Sequence, residues 1–300
     1  MLDQVKTASS EVADALRKIA AIGPKFDPDI LEQTGRIYTP MVKKPKTAVQ
    51  VTADVAYGSD PRQKLDVYRP ASGSADVTMV YIPGGGFVGG DKNSGGAFYG
   101  NLGNYFADHG ILTIVANYRL APAAAWPAGA QDVAGAVAWA RANAKKYGGN
   151  PDRIVIYGQS AGSTHTAGYL FDPQFQPAGG PGVAAGILMS GPYKLAGELR
   201  AGMLAYFGGD PSTYAARSPL THAGKPGGAK VPLLLSVAEY DPGYLVTPTY
   251  ELATALTQRD GKSPRFAYFA GHNHVSTVMS FGTAQDDVGS LIREFIASVP

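Results

Sequence analysis

The sequence predicts an α/β domain built on one mostly parallel β-sheet, and three observations carry that expectation. Short, apolar, β-branched runs alternate with helical patterns along most of the chain, the pattern left by parallel strands joined through crossover helices. Residues 153–162, R-I-V-I-Y-G-Q-S-A-G, run a buried-type strand straight into a G-x-S-x-G pentad, and helix-compatible residues follow. Of the 300 residues 45% are hydrophobic and 17% charged, enough apolar side chains to cover a sheet on both faces.

The elements follow in order. Residues 10–21 place Val12, Ala15, Leu16, Ile19 and Ala20 at helical spacing, with Ser9 or Ser10 as N-cap. Residues 23–45 are irregular, with a short helix expected over 28–38, and the arm 1–45 is expected to form part of a cap. Residues 49–57 and 64–69 read as an antiparallel hairpin around the turn 58–61. Further strands are expected at 77–82, 111–116, 153–157, 183–189, 231–237 and 265–269, giving eight in all. Helices are expected at 97–109, 127–147, 163–170, 249–259 and 285–298. Residues 190–230 hold no clear strand, only short helical pieces and turns, and read as a second part of the cap. There is no internal repeat and no linker, so residues 1–300 are expected to form a single domain.

Composition narrows the function. A net charge of +2 without a basic run argues against nucleic acid or an anionic membrane as partner. The absence of cysteine excludes disulfides, thiolate catalysis and cysteine-ligated metals. Residues 1–7 lack a basic region followed by an apolar core, and no apolar run approaches the roughly 18–20 residues of a membrane span, so the expectation is a cytoplasmic protein.

Chemistry converges on Ser160. Glycines flank it at 158 and 162 because a sharp strand-to-helix turn leaves no room for a Cβ, and the turn presents the hydroxyl beside a helix N-terminus. A serine hydroxyl needs a base within hydrogen-bond reach. Of the five histidines, His109 closes a surface helix, His165 lies inside the helix after Ser160, and His222 lies in the irregular insertion. His272 and His274 directly follow the last expected strand, at the carboxyl edge of the sheet where such folds build their sites. A His-x-His pair also suits a metal, but no third ligand at supporting spacing accompanies it. Asp241, at the end of the strand before and fixed by Pro242, is the preferred acid to orient the imidazole, with Glu239 as the alternative. The loop Pro83-Gly84-Gly85-Gly86-Phe87 follows the third strand and offers free backbone N–H groups to an anion. A phosphate-binding reading of that loop fails because neither phosphate-loop pattern is complete. Phe87, Tyr193 and Tyr240, with Tyr206, Phe207 and Tyr244, stand near strand ends or in the cap as candidate pocket aromatics.

With these residues in view the chain resembles the α/β-hydrolase-fold carboxylesterases, in the group spanning hormone-sensitive-lipase-like and BD-FAE-type esterases. The resemblance rests on L-D-V-Y-R-P at 65–70, G-G-G-F-V-G-G-D-K at 84–92, N-Y-R-L-A-P at 117–122, Trp126-Pro127-Ala128 with Asp132, Y-G-G-N-P-D-R-I at 147–154 and G-Q-S-A-G at 158–162. The order Ser, Asp, His along the chain is also that of α/β hydrolases. The resemblance implies an oxyanion hole from the N–H groups of Gly85, Gly86 and Ala161, and His274 as the base. It implies hydrolysis of a small-molecule ester; the insertion is not strongly hydrophobic, which favours a small or medium acyl chain, and no cofactor or metal is expected. Aryl formamides, other amides or peptides are the alternative substrates, and a non-catalytic binding protein is the alternative class. Two positions depart from the family: Pro83 stands where a histidine braces the glycine loop, and Ser163 stands where glycine is usual.

Overall fold

The computed structural model describes residues 9–94, 98–225 and 230–299. The first seven residues, position 97 at the start of an expected helix, and the end of the turn at 224–228 lie outside the described residues. The chain opens on an arm of two helices, α1 (Ser10–Ile22) and α2 (Ile30–Tyr38). Ser9 caps α1 by accepting the Val12 N–H, and the apolar face of α1 buries Val12, Ala15, Leu16 and Ile19.

The hairpin β1 (Gln50–Ala56) and β2 (Lys64–Arg69) is antiparallel, as expected. It leads to β3 (Thr78–Ile82), α3 (Gly100–Asp108), β4 (Leu112–Ala116), α4 (Ala128–Asn143), β5 (Ile154–Gln159), α5 (Ala161–Phe171) and β6 (Ala185–Met189). After β6 come three short helices, α6 (Ala201–Phe207), α7 (Tyr214–Arg217) and α8 (Pro219–Ala223). The chain then returns to the sheet with β7 (Leu233–Tyr240), α9 (Gly243–Asp260), β8 (Arg265–Asn273), a single turn α10 (Ser276–Met279) and α11 (Asp287–Ser298).

The eight strands lie in the order β1-β2-β4-β3-β5-β6-β7-β8, and only β2 runs against the others. Strands β3 to β6 are buried along their whole length, which is why they read as continuous apolar runs and not as alternating ones. On one face Val80, Ile114, Ile156 and Leu235 meet Val133 and Val137 of α4, Leu170 of α5 and Leu252 of α9. On the other, Met79, Val115, Val155 and Ile187 meet Leu102 and Phe106 of α3 and Ile292 and Phe295 of α11. Among the described residues no helix is long and apolar enough to cross a membrane.

Several element ends differ from expectation, and two have a plain structural cause. The last strand continues four residues past 269, because β8 follows β7 through a register shift between Ala238 and Tyr240 and pairs Asn273 with Tyr240. Helix α9 starts at Gly243, not 249, and carries Pro248 inside it. Proline there gives up one backbone bond, and Pro242, extended just before the helix, sets the start instead.

Candidate active site

Ser160 occupies the turn between β5 and α5 with φ 56° and ψ −125°, a conformation that few non-glycine residues adopt. Its N–H donates to Met189 O at 2.9 Å, which ties the turn to the neighbouring strand. A Cβ at Gly158 would sit 2.6 Å from Gly162 O and from Ser163 Cα, and one at Gly162 would overlap the carbonyls of Ile82 and Pro83. Both glycines are therefore required by close approach, as the pentad implied.

His274 stands just beyond β8, and its Nδ1 lies 2.7 Å from Asp241 Oδ1. The other oxygen of Asp241 accepts from Ser190 Oγ and from the Ala238 N–H, both at 2.6 Å. Asp241 is buried and acceptor-only as a carboxylate, so Nδ1 of His274 carries the proton and Nε2 presents a lone pair. Glu239 is committed elsewhere, accepting the Gly271 N–H at 2.7 Å. His272 is also committed: Nδ1 meets Ser276 Oγ at 3.0 Å, and Nε2 meets Gln285 Nε2 at 2.8 Å and Asp287 at 3.2 Å. The two histidines thus serve separate networks, and among the described residues no three His, Asp or Glu side chains converge as a metal site. No hydrogen bond joins Ser160 Oγ to His274; its Nε2 instead lies 3.3 Å from Gln159 Nε2.

The glycine loop runs beside the serine. Gly85 has φ 144° and Gly86 has φ 60°, and a Cβ on Gly85 would overlap Gly89 O. Pro83 leaves no imidazole to brace this loop, and Tyr99 takes that place: its hydroxyl oxygen accepts the Gly84 N–H at 3.1 Å. Charged and amide side chains anchor the rest of the loop. Lys92 Nζ lies 2.9 Å from both Asp54 and the buried Asp66, and the Lys92 N–H donates to Asn117 Oδ1 at 2.6 Å. Arg62 reaches Gly90 O at 2.8 Å, and Arg119 pairs with buried Asp132. Helix α6 lies directly on the loop, so close that a Cβ at Gly202 would overlap Gly86 O.

Ser160, His274 and the three glycines border one cavity of about 600 Å³. The arm supplies Phe26, Ile30 and Leu31, the segment after His274 supplies Val275 and Met279, and Phe98 completes the apolar wall. Phe26 stands edge-on to the His274 ring at 4.7 Å and 90°. Arg200, from the insertion, borders the same cavity with its guanidinium 4.7 Å from the Tyr244 ring.

The expected pocket aromatics lie elsewhere. Phe87 stacks on Tyr206 of α6, with ring centroids 5.1 Å apart. Tyr193 is fully buried and shares a 2.7 Å hydrogen bond with Ser163 Oγ, so the unusual Ser163 faces this tyrosine. Tyr240 packs against the arm cluster and does not border the cavity. Each stands near a strand end, but residues there also pack the cap and the arm, and that packing claims all three. Sequence reasoning missed Phe26, Tyr99, Gln159 and Ser190. Gln159 was the most accessible of them, since it stands inside the pentad.

The fold has counterparts among solved structures. A hyperthermophilic esterase from the archaeon Pyrobaculum calidifontis superposes with a TM-score of 0.70 at 23% identity, covering 96% of this chain and 98% of that one. An arylesterase superposes with a TM-score of 0.67 at 19% identity over 96% of this chain and 97% of its own. The chain has the α/β-hydrolase fold. Within it, residues 65–170 match the BD-FAE family, the segment from β2 to the end of α5. Over 127 residues, 41% of its length, the chain is 39% identical to the esterase LipC of Mycobacterium tuberculosis, of which the match covers 31%. It is 33% identical over 131 residues to a probable isoprenylcysteine alpha-carbonyl methylesterase of Oryza sativa subsp. japonica, covering 43% of this chain and 30% of that protein. The chain thus spans about a third of the length of the curated relatives it matches.

Proposed function

We propose that this protein is a serine carboxylesterase acting on small-molecule esters of short or medium acyl chain. The observation that carries the reading is a buried His274–Asp241 pair, 2.7 Å apart, bordering the same cavity as a serine held in a strained strand-to-helix turn. In the first step Ser160 Oγ bonds to the ester carbonyl carbon while His274 Nε2 takes the hydroxyl proton, and the carbonyl oxygen becomes the oxyanion. The N–H groups of Gly85, Gly86 and Ala161 receive that charge, backed by the N-terminus of α5. Collapse breaks the bond to the alkoxy oxygen, and His274 gives its proton to the departing alcohol. Water then repeats the sequence on the acyl-enzyme and releases the acid. Asp241 keeps the imidazole in the required tautomer and balances its charge while it holds the second proton.

The apolar wall of Phe26, Ile30, Leu31, Phe98, Val275 and Met279 supports an acyl group or alcohol of modest size. The arm and the residues 190–225 together act as the cap, because each contributes to that cavity. The esterase names carried by the sequence relatives support the same chemistry.

The test is hydrolysis of p-nitrophenyl esters, acetate through laurate, by wild type and by Ser160→Ala, His274→Ala and His272→Ala. Ser160→Ala and His274→Ala are expected to lose turnover by about a thousandfold or more. His272→Ala is expected to keep it once folded. Turnover retained by Ser160→Ala overturns the assignment.

A further inference from the structure

Gln159 is buried between the two halves of the site. Its neighbours form a chain of polar contacts that runs in one direction. The Gly84 N–H donates to Tyr99 Oη at 3.1 Å, and the Tyr99 hydroxyl faces Gln159 Oε1 at 3.5 Å. Gln159 Nε2 donates to the His274 carbonyl oxygen at 3.2 Å and faces His274 Nε2 at 3.3 Å. His274 Nδ1 then donates to Asp241 at 2.7 Å.

Chemistry fixes each direction. Tyr99 oxygen already accepts from Gly84, so its proton is available to Gln159 Oε1. The carbonyl of His274 only accepts, so the Gln159 atom facing it is the amide nitrogen. Asp241 claims the Nδ1 proton, so only a donor suits the Nε2 lone pair. The orientation of the amide and the tautomer of the ring are thus set independently and agree.

We infer that Gln159 is a positioning residue that holds His274 in the resting enzyme with its Nε2 lone pair occupied, and that acylation requires His274 to exchange the Gln159 amide for the Ser160 hydroxyl. This rests on the assignment of Ser160 and His274 as nucleophile and base. An amide N–H cannot surrender its proton to imidazole at working pH, so the contact steers the ring without consuming the base. Through Tyr99 the same contact joins the oxyanion loop to the base.

The other groups around His274 are accounted for. Asp241 faces Nδ1 from the end of β7, and Glu239 is turned to the Gly271 N–H. Asp27 and Arg200 border the cavity from the arm and the insertion, and Tyr99 stands behind Gln159. All of them remain when Gln159 alone is replaced.

The experiment is the pH profile of kcat/KM, with KM and kcat separated, for wild type, Gln159→Leu and the isosteric Gln159→Glu. Removing the donor frees the lone pair for a proton, so in Gln159→Leu the midpoint of the acid limb rises by about half a pH unit or more, about a threefold loss on that limb. A carboxylate beside the ring favours the protonated form, so Gln159→Glu raises the midpoint by about 1–3 units, at least a tenfold loss. KM stays near the wild-type value in both. A merely structural glutamine lowers the melting temperature or kcat and leaves the midpoint in place, and an unchanged midpoint in both variants overturns the proposal. If Gln159→Leu does not fold, the isosteric variant decides alone. A second readout is independent of ester turnover: in protein labelled with 15N-histidine, the neutral-ring Nε2 resonance of His274 moves downfield in Gln159→Leu as its hydrogen bond is lost. A resonance that stays in place refutes the contact even when ester hydrolysis is intact; one that moves supports it even when no ester is cleaved.

Discussion

His165 makes the acid sensitivity of this fold a quantitative matter. It lies in α5, one turn beyond Ser160, with its ring against Phe87, Tyr118 and Tyr206 at centroid distances of 5.3, 4.5 and 4.8 Å. It is buried, its Nε2 has no hydrogen-bond partner, and burial pushes its pKa down to about 3. In the unfolded chain the same ring titrates near 6.5. Between those values the unfolded state binds a proton that the folded state refuses, so stability falls as pH drops through about 6.5 and the loss levels off below about 3. Each pH unit inside the window removes about 1.4 kcal/mol, and the integrated loss from about pH 6 to about pH 4 is roughly 2.5 kcal/mol from this one group. The assay is urea unfolding followed by circular dichroism across that range, for wild type and His165→Leu. The variant's packing change is common to every pH, so only the difference in slope matters. The gap between the two proteins is expected to shift by about 2–3 kcal/mol in favour of the variant on acidification. Parallel curves would show that the ring is reached by water or finds a partner on protonation, and would refute the argument.

Two further substitutions test how the glycine loop is held. Gly202→Ala improves the intrinsic helix propensity of α6 by up to about 1 kcal/mol, yet its Cβ would overlap Gly86 O. A fall in kcat/KM of about tenfold or more on p-nitrophenyl butyrate, with secondary structure by circular dichroism unchanged, is expected if that contact sets the glycine loop and the loop receives the oxyanion as proposed. Lys92→Met leaves buried Asp66 facing only the Asp54 N–H, at 2.8 Å. The expected cost is about 3–5 kcal/mol, read as a drop in melting temperature of roughly 5–10 °C, and adding Asp66→Asn should recover part of it.

The parts of the site that were legible in the sequence are those where chemistry and fold demand the same residue. A hydroxyl at the end of a parallel strand needs glycines around it, and Gly158 and Gly162 are in fact hemmed in by Gly162 O, Ser163 and the carbonyls of Ile82 and Pro83. An acid followed by proline at the next strand end, and histidines after the last, left few choices, and only Asp241 and His274 meet beside Ser160. What could not be read is what depends on distant packing. Phe26 reaches His274 from 248 positions earlier in the chain (274 − 26), so no local pattern marks it. Phe87, Tyr193 and Tyr240 carried the composition of a pocket but are claimed by the cap, by Ser163 and by the arm. The start of α9 was hidden by Pro248, which local propensity reads as a break although the packing of Leu245, Leu252 and Leu256 makes up for one lost bond.

Pro83 shows why a departure from a family pattern must be traced through its neighbours. The loop needs its Gly84 N–H satisfied, because an unpaired buried donor costs about 1–3 kcal/mol. Where an imidazole is absent, the donor finds the hydroxyl of Tyr99, 15 residues on, held in place by a φ of 68° at the entrance to α3. That replacement changes more than the brace. A tyrosine that accepts from the loop still has a proton to give, and the acceptor it faces is the side chain next to the serine, which in turn faces His274. The tyrosine that holds the glycine loop and the glutamine in the pentad are therefore parts of one arrangement, and replacing either Tyr99 or Gln159 should disturb both the glycine loop and His274.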